Sequence, residues 1–477
     1  MRQMPRCFAV LIATAGFVLV AGMNSGYAAI QDLEDSEVTI AVERSLIGDD
    51  AVPYNSIDVS TQQGIVTLTG TVPSLYGKER AMRQAQSLKG VRGVVNRIEV
   101  TPVQRTDEEL SKDASTALLL DPATDSYEIE ATASDGIITL TGSVQSWAEK
   151  SLAEEVAKGV KGVKGIKNDI TLRFKTDRSD HEIKTDIQQR FRNDVWLTKA
   201  HLTVDVKDGA VTLGGTVGSA LEKRRAATDA FVLGVKSVDD QDVKVDWLVR
   251  EHLRRTHYPY RTDKEIKRAV KDALLYDPRV WSFNPRVTVH HGSVTLTGVV
   301  DNLKAKKAAE SDARNTVGVR AVRNYLKVRT KTQLSDETVV NNVRSALFMD
   351  PLVDRYEIAA TVYNGTVSLY GTVDSYFEKW RAEDVASRVR GTLGVNNYLK
   401  VNHRWNWARD WEIRTDIQDE LWWSPFVDED QVRVSVEGGV ATLRGSVDSW
   451  WERRIATENA IEGGAKSVRN YLSVAPE

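Results

Sequence analysis

The stretch GSVTLTGVV, residues 292–300, decides the fold of this chain because the sequence carries it in six variants. The other five are GIVTLTGTV (64–72), GIITLTGSV (136–144), GAVTLGGTV (209–217), GTVSLYGTV (365–373) and GVATLRGSV (439–447). Their second glycines are Gly70, Gly142, Gly215, Gly298, Gly371 and Gly445, which are 72, 73, 83, 73 and 74 residues apart. We predict that these glycines are structural. A period this regular predicts tandem modules rather than one large enzyme core.

Each copy of the repeat predicts a β-hairpin. Asp-Gly at 135–136 and 208–209 and Asn-Gly at 364–365 stand at the turn, and these pairs tolerate the positive φ of a two-residue hairpin loop. In the second strand, Val294 and Leu296 alternate with threonines. One face of the hairpin is therefore expected to be buried.

Helical patterns flank the hairpin. EIKRAVKDALLYDP (265–278) has apolar residues at helical spacing and Pro278 at its exit. After the hairpin, a capping residue recurs in one register: Ser74, Ser146, Ser219, Asn302, Ser375 and Ser449. In four copies a glutamate follows three residues later, which predicts a capping box and a second helix. A last strand such as AVRNYLKV (321–328) completes an α+β module, αββαβ, with two helices on a small three-stranded mixed sheet.

The modules fall into two similar groups of three. DPATDSYEIEAT (121–132) resembles DPLVDRYEIAAT (350–361), so we predict a duplicated three-module unit. The expected modules 1 to 6 are 35–103, 106–174, 179–247, 262–330, 335–403 and 410–476. Residues 248–261 are expected to link the halves, or to form a loop insertion packed on module 3. Small modules without disulfides should pack together, either as a compact pair of units or as a curved rod.

The N-terminus predicts export. MRQMPR is basic, Cys7 to Val20 are mostly apolar or small, and Gly26-Tyr27-Ala28 fits a cleavage site, so we expect residues 1–28 to be a signal peptide. Its removal would take away the single cysteine and, with Arg2 and Arg6, change the net charge from −3 to about −5. We expect a periplasmic protein with no later transmembrane helix. The near-balanced charge argues against nucleic acid as a partner.

The repeat resembles the BON family, the bacterial OsmY and nodulation module. The resemblance lies in Asp-Pro-x-Val (277–280), in Gly-x-Val-x-Leu-x-Gly-x-Val, and in Gly-Val-x-x-Val-x-Asn (318–324). It covers essentially the whole chain after the predicted signal peptide. It implies an envelope module that binds phospholipid membranes and is linked to osmotic or envelope stress.

Histidine spacing and known motifs bear on whether the sequence predicts a catalytic or metal site. None of the seven histidines pairs at i, i+4 or recurs between modules, and His290-His291 fits an exposed turn. The sequence contains no Gly-x-Ser-x-Gly, phosphate loop, His-Glu-x-x-His or calcium loop. We therefore expect a protein that is not an enzyme and has no cofactor and no metal.

The start of the second helix is the predicted binding site. There, aromatic residues follow the cap and basic residues follow the aromatics: Trp147 with Lys150, Tyr376 and Phe377 with Lys379, and Trp450 and Trp451 with Arg453 and Arg454. Trp422 and Trp423 add to the aromatic end module. Aromatic and basic residues together suit an anionic lipid surface. The same aromatics could instead pack one module on the next, or bind a protein.

Two functions therefore remain open from sequence. One is peripheral binding to anionic phospholipid during envelope or osmotic stress. The other is a periplasmic scaffold or holdase-like chaperone that binds other envelope proteins. The oligomeric state is not predicted.

Overall fold

The computed structural model describes residues 33–47, 52, 56–124, 128–174, 178–249, 260–280, 283–330, 333–353, 357–402 and 408–474. The predicted signal peptide, residues 250–259 of the predicted linker, Trp405 and Trp407 lie outside these ranges. The described residues belong to one unit of the fold.

Six αββαβ modules follow one another, as the repeats predict. The first helices span Asp35–Ile47, Asp107–Leu120, Asp180–Asn193, Asp263–Tyr276, Asp336–Met349 and Asp410–Trp423. The second helices span Leu75–Gln86, Trp147–Lys158, Ala220–Ala230, Leu303–Arg314, Tyr376–Arg388 and Trp450–Glu462.

The strands of each module form one small sheet. The first strands are Ile57–Gln62, Glu128–Ser134, His201–Lys207, Arg286–His290, Ala359–Tyr363 and Val432–Glu437. The second strands are Ile65–Val72, Ile137–Val144, Ala210–Val217, Ser293–Thr297 with Val299–Val300, Thr366–Tyr370 with Thr372–Val373, and Val440–Val447. The third strands are Gly93–Asn96 with Glu99–Val100, Gly165–Asn168 with Thr171–Leu172, Ser237–Val245, Ala321–Asn324 with Lys327–Val328, Gly394–Asn397 with Lys400–Val401, and Ser467–Val474.

The sheet topology is the same in every module. The first two strands pair antiparallel, and the third pairs parallel with the second, which is central. In module 2 the turn between the first two strands is made by Asp135 and Gly136, with φ of +54° and +80°. Positive φ at both positions is the type I′ geometry that the Asp-Gly pair predicts.

An aspartate at the start of each first helix fixes the hairpin turn. The Asp263 carboxylate accepts hydrogen bonds from the backbone N–H groups of His291 and Gly292, both at 2.8 Å. These bonds lower the pKa of Asp263. The same contact recurs from Asp35, Asp107, Asp180, Asp336 and Asp410. The hairpin of each module is thereby tied to its first helix.

The six caps of the second helices are side-chain oxygens that accept a backbone N–H, as the sequence predicts. The glutamate three residues after the cap does not complete a standard capping box. The carboxylate of Glu149 accepts the N–H of Gln145, the residue before the cap, and that of Glu452 likewise accepts the N–H of Asp448. Full capping boxes instead open first helices, as with Thr262 and Glu265.

Each module has its own apolar core between the sheet and the two helices. In module 4 this core includes Ile266 and Val270 from the first helix, Val294 and Leu296 from the central strand, and Ala309 from the second helix. The alternation of Val294 and Leu296 with threonines therefore predicts the buried face correctly. Contacts between modules involve the helices and the loops next to them.

Modules 1 to 3 close on one another. The Tyr76 hydroxyl of module 1 donates to the carbonyl of Glu155 in module 2, at 3.1 Å. Trp147 of module 2 reaches module 3, and Ala220 of module 3 packs into the core of module 1. In the second half, Lys307 of module 4 pairs with module 5, and module 6 contacts module 4.

The two halves pair in antiparallel order. One backbone hydrogen bond recurs: an N–H from the loop after a second helix donates to the carbonyl of the last residue of a first helix. It joins Lys89 to Trp423, Lys161 to Met349, and Val317 to Asn193, at 2.9–3.0 Å. Module 1 thus meets module 6, module 2 meets module 5, and module 3 meets module 4. Because the first and last modules are in contact, the chain forms the compact pair of three-module units and not the curved rod.

Within the described residues, we find no helix with both the length and the apolar character needed to span a membrane.

Candidate binding surfaces

Trp451 is buried between modules. Its side chain is 2% exposed, and its ring lies 4.0 Å from Trp196 of module 3 and 4.7 Å from Phe426, between centroids. Val317 of module 4 belongs to the same apolar cluster. Trp451 is therefore enclosed by protein in this structure. This arrangement corresponds to the alternative in which the aromatic residue packs one module on the next.

Trp450 and Trp147 make equivalent contacts in different halves. The indole N–H of Trp450 donates to the carbonyl of Arg320 in module 4, at 2.8 Å. The indole N–H of Trp147 donates to the carbonyl of Val235 in module 3, at 2.7 Å, and its ring lies 4.5 Å from Phe231. Both tryptophans therefore attach one module to the loop after the second helix of another.

The second residue of each second helix lies at a boundary between modules, and we call it the junction residue. The six are Tyr76, Ala148, Leu221, Lys304, Phe377 and Trp451. The ring of Tyr76 contacts module 2 and also lies 4.2 Å below the guanidinium of Arg381 in module 5. Burial raises the pKa of Tyr76. Burial also lowers the pKa of Lys304 to about 8, although Lys304 forms an ion pair with Asp384. The aromatics at this position are thus part of the inter-module packing.

The predicted basic residues connect each second helix to its own sheet. Lys150 Nζ donates to the carbonyl of Ile170, and Lys379 Nζ donates to the carbonyl of Leu399, both at 2.7 Å. Arg453 donates to the carbonyl of Asn470 at the same distance. A cation in the first turn opposes the helix dipole, and this bond to the last strand offsets the cost. Among the described residues, Arg454 makes no such bond to the sheet and is exposed.

Phe377, Trp422 and Trp423 also lie at module boundaries. The ring of Phe377 lies 4.1 Å from the guanidinium of Arg80 in module 1. Trp423 packs against the core of module 1, and Trp422 lies under the ammonium of Lys89 at 4.8 Å while part of its ring stays exposed. Tyr376 is half-buried beside Trp380. Among the predicted site residues, Arg454 and Trp422 keep the largest exposed surfaces.

The outer sheet faces of modules 4 to 6 carry exposed tyrosines that the sequence reasoning missed. Tyr325, Tyr398 and Tyr471 are 62%, 57% and 59% exposed. They occupy one register position, beside the central strand and opposite the helices. The same position holds Arg97, Asp169 and Asp242 in modules 1 to 3. In the sequence these tyrosines can be recognised by the tripeptide Asn-Tyr-Leu, which occurs at 324–326, 397–399 and 470–472.

Charge on the outer sheet faces also differs between the halves. The difference lies in the exposed charged residues of the strands and of the links within the third strands. In modules 4 to 6 the exposed acidic residue of these segments is Glu437. The exposed basic residues there are Arg286, Arg323, Lys327, Lys400, Arg433, Arg444 and Arg469. In modules 1 to 3 the exposed acidic residues are Asp58, Glu99, Glu128, Glu130, Asp169, Asp205, Asp239 and Asp242. The exposed basic residues there are Arg97, Lys167, Lys207 and Lys244. One half is therefore basic and the other acidic, although the whole chain is nearly neutral.

Aromatic and basic side chains meet on the basic faces. The ring of Tyr398 stacks on Tyr370 with centroids 5.3 Å apart, and the guanidinium of Arg444 lies 5.2 Å from the ring of Tyr471. We call the outer faces of modules 4 to 6, with these tyrosines and bases, the tyrosine–arginine faces. Such faces can offer cations and phenolic hydroxyls to an anionic surface.

Comparisons with known proteins identify the repeat. A family model described as "BON domain" matches residues 34–102, 106–173, 179–246, 262–330, 335–403 and 409–476. The chain is 32% identical over 145 residues to the Osmotically-inducible protein Y of Escherichia coli (strain K12), covering 29% of this chain and 72% of that protein. It is 32% identical over 144 residues to the Outer membrane lipoprotein DolP of Haemophilus influenzae, covering 29% of this chain and 74% of that protein.

Among solved structures, CdsD, a structural protein of the type III secretion system of Chlamydia trachomatis, matches at 14% identity. The match covers 43% of this chain and 90% of that one with a TM-score of 0.13. A score this low carries no argument about this chain.

Proposed function

The chain belongs to the BON domain family, and from that premise we propose that it is a non-enzymatic protein of the cell envelope that associates peripherally with anionic phospholipid membranes. We infer that the tyrosine–arginine faces of modules 4 to 6 make the contact. The observation that carries this proposal is the asymmetry of the outer sheet faces, which places seven exposed bases and the three tyrosines on one half of the chain.

The physical reason is additive weak attraction. A lysine or arginine near an anionic bilayer surface contributes about 1 kcal/mol, and tyrosine favours the membrane interface. Several modules in one rigid chain bind together more tightly than one module alone, since the later contacts form at high local concentration. The acidic faces of modules 1 to 3 would be repelled by the same surface.

The named relatives support an envelope location. One is called osmotically inducible and the other an outer membrane lipoprotein. With the predicted signal peptide, this favours a periplasmic protein that acts in osmotic or envelope stress. In this proposal the aromatic residues at the second-helix starts hold modules together and the basic residues hold each helix to its own sheet, while Arg454 and Trp422 remain proposed surface contacts.

A vesicle experiment tests the proposal. Co-sedimentation with vesicles of phosphatidylglycerol and phosphatidylcholine is measured for the wild type and for Y325S/Y398S/Y471S. We expect the triple variant to bind at least fivefold more weakly, because each module loses its interfacial side chain. The matched control is R97S/D169S/D242S, which changes the same register position in modules 1 to 3 and should bind as the wild type or better. Binding should also fall as salt rises from low to physiological concentration.

Equal losses in the two triple variants, or none in either, would rule out the tyrosine–arginine faces as the contact. Suppressed aggregation of an unfolded client protein, without any vesicle binding by the wild type, would instead support the scaffold or holdase alternative.

A further inference from the structure

The outer sheet faces of the two halves carry opposite charges at equivalent positions of the module. Each position is defined by the residue that it pairs with on the central strand, and each of these side chains is exposed. Three positions show the reversal: Asp58 and Arg286, Glu99 and Lys327, and Asp239 and Arg469. Because the six modules share one fold, modules 1 and 3 have acids where modules 4 and 6 have bases.

These six charges are not neutralised by the chain itself. Among the described residues, none of the six side chains forms an ion pair. Asp239 accepts one hydrogen bond, from the backbone N–H of Gln241. Asp169 differs, since it pairs with Lys167 at 2.6 Å on the outer face of module 2. The six charges can therefore attract charges on another molecule.

The tyrosine–arginine faces have the composition of a protein interface as well as that of a membrane contact. Five of their seven exposed bases are arginines, and the three tyrosines are 57–62% exposed. Arginine and tyrosine are enriched at protein–protein interfaces, whereas lysine is depleted there. A protein that covers these faces must be acidic, as the outer faces of modules 1 to 3 are.

We propose that the acidic outer faces of modules 1 to 3 dock on the tyrosine–arginine faces of a second copy of this chain. A second copy is the partner because it offers the same module with the opposite charge at the same positions. Complementary charge steers two molecules together and sets their register. The whole chain has a net charge of only −3, so repulsion between copies is small. This inference does not rest on the proposed membrane contact.

Sedimentation velocity on the full chain, without membranes, measures the association. The average mass of the wild type should rise with protein concentration at low salt. It should return to that of a monomer at high salt, because the screening length falls from about 30 Å at 0.01 M to about 3 Å at 1 M. A wild type that stays monomeric at low salt, or an association that persists unchanged at high salt, would overturn the proposal.

Two neutralised variants test which faces meet. D58N/E99Q/D239N removes acids from modules 1 and 3, and R286Q/K327Q/R469Q removes the bases at the same positions of modules 4 and 6. Each variant alone should lose the association at low salt. An equimolar mixture should regain it, since the first variant keeps its basic faces and the second keeps its acidic faces. All six side chains are exposed, so both variants should keep the circular dichroism spectrum of the wild type.

The matched control is E37Q/E108Q/E337Q, which removes three exposed carboxylates from first helices and should associate as the wild type does. Equal loss in this control would show that association follows net charge and would overturn the proposal. A mixture of the two neutralised variants that stays monomeric would also overturn it. D58N/E99Q/D239N should still sediment with phosphatidylglycerol vesicles as the wild type does. Failure of the docking proposal is thereby distinguished from failure of the membrane contact.

Discussion

Replacing Trp451 by alanine is expected to lower the free energy of unfolding by about 3–5 kcal/mol, the range for removing a buried large aromatic side chain. Trp451 is 2% exposed and packs on Trp196, Phe426 and Val317, so its loss leaves a void shared by modules 3, 4 and 6. The loss should loosen module 6 from the other half as well as weaken its own core.

Urea denaturation with a parallel measurement of Trp451→Phe checks this. Phenylalanine keeps a ring in the cluster, and the indole N–H of Trp451 has no acceptor in the described structure, so the cost of the phenylalanine variant should be much smaller. Trp380→Ala, at a side chain that is 45% exposed, should cost much less than Trp451→Ala. A loss below about 1 kcal/mol for W451A would contradict the burial of Trp451.

The second large effect is expected at Gly445, where alanine should cost about 3 kcal/mol or more. Gly445 has φ of +131°, and a Cβ there would lie 2.0 Å from the backbone oxygen of Gln431, the residue just before the paired strand. Both the backbone conformation and the clash oppose the substitution. Because the hairpin supports both helices, module 6 should lose stability as a whole.

Gly298 provides the matched control. It occupies the same position of the repeat with φ of +133°, but its Cβ would meet nothing nearer than Leu326 Cδ2 at 3.7 Å. Gly298→Ala should therefore carry only the backbone strain, about 1–3 kcal/mol. Denaturation midpoints of the two variants give the comparison. Equal midpoints would show that the clash at Gly445 is relieved by movement of the first strand.

The repeat pattern predicted the fold of one module because the forces that make it are local. Positive φ at Asp135-Gly136, the caps such as Ser449 and the alternation around Leu296 each depend on neighbours within one module. The capping glutamates were predicted less well. The sequence spacing of Glu452 does not reveal that its carboxylate accepts the N–H of Asp448 instead of that of the cap.

The roles of the second-helix starts could not be predicted from sequence. Trp451 and Lys304 occupy the same position of the repeat, and only the pairing of modules shows that both are enclosed by neighbours. Lys150 and Arg453 suggested an anionic ligand, but each reaches a carbonyl about 20 residues later in the chain. Long side chains of this kind can satisfy the protein's own backbone as readily as a ligand.

The tyrosine–arginine faces could have been predicted by comparing the halves. Each of Tyr325, Tyr398 and Tyr471 follows an asparagine whose side chain bonds the second helix, so the register is fixed. Charged residues stand at this position in modules 1 to 3. A strand residue on the solvent side needs no apolar side chain for folding, and its recurrence in one half alone points to a surface role.

In the proposed membrane contact, modules 4 to 6, and not modules 1 to 3, face the membrane. The most direct measurement uses one environment-sensitive dye on a cysteine in a Cys7→Ser background, placed by Tyr398→Cys or by Asp169→Cys at the same position of module 2. On addition of phosphatidylglycerol vesicles we predict a blue shift of the emission for the dye at 398 and no shift for the dye at 169. Three results would contradict membrane contact by modules 4 to 6. They are a shift at 169 alone, equal shifts at both positions, or an unchanged spectrum at 398 while the protein sediments with vesicles.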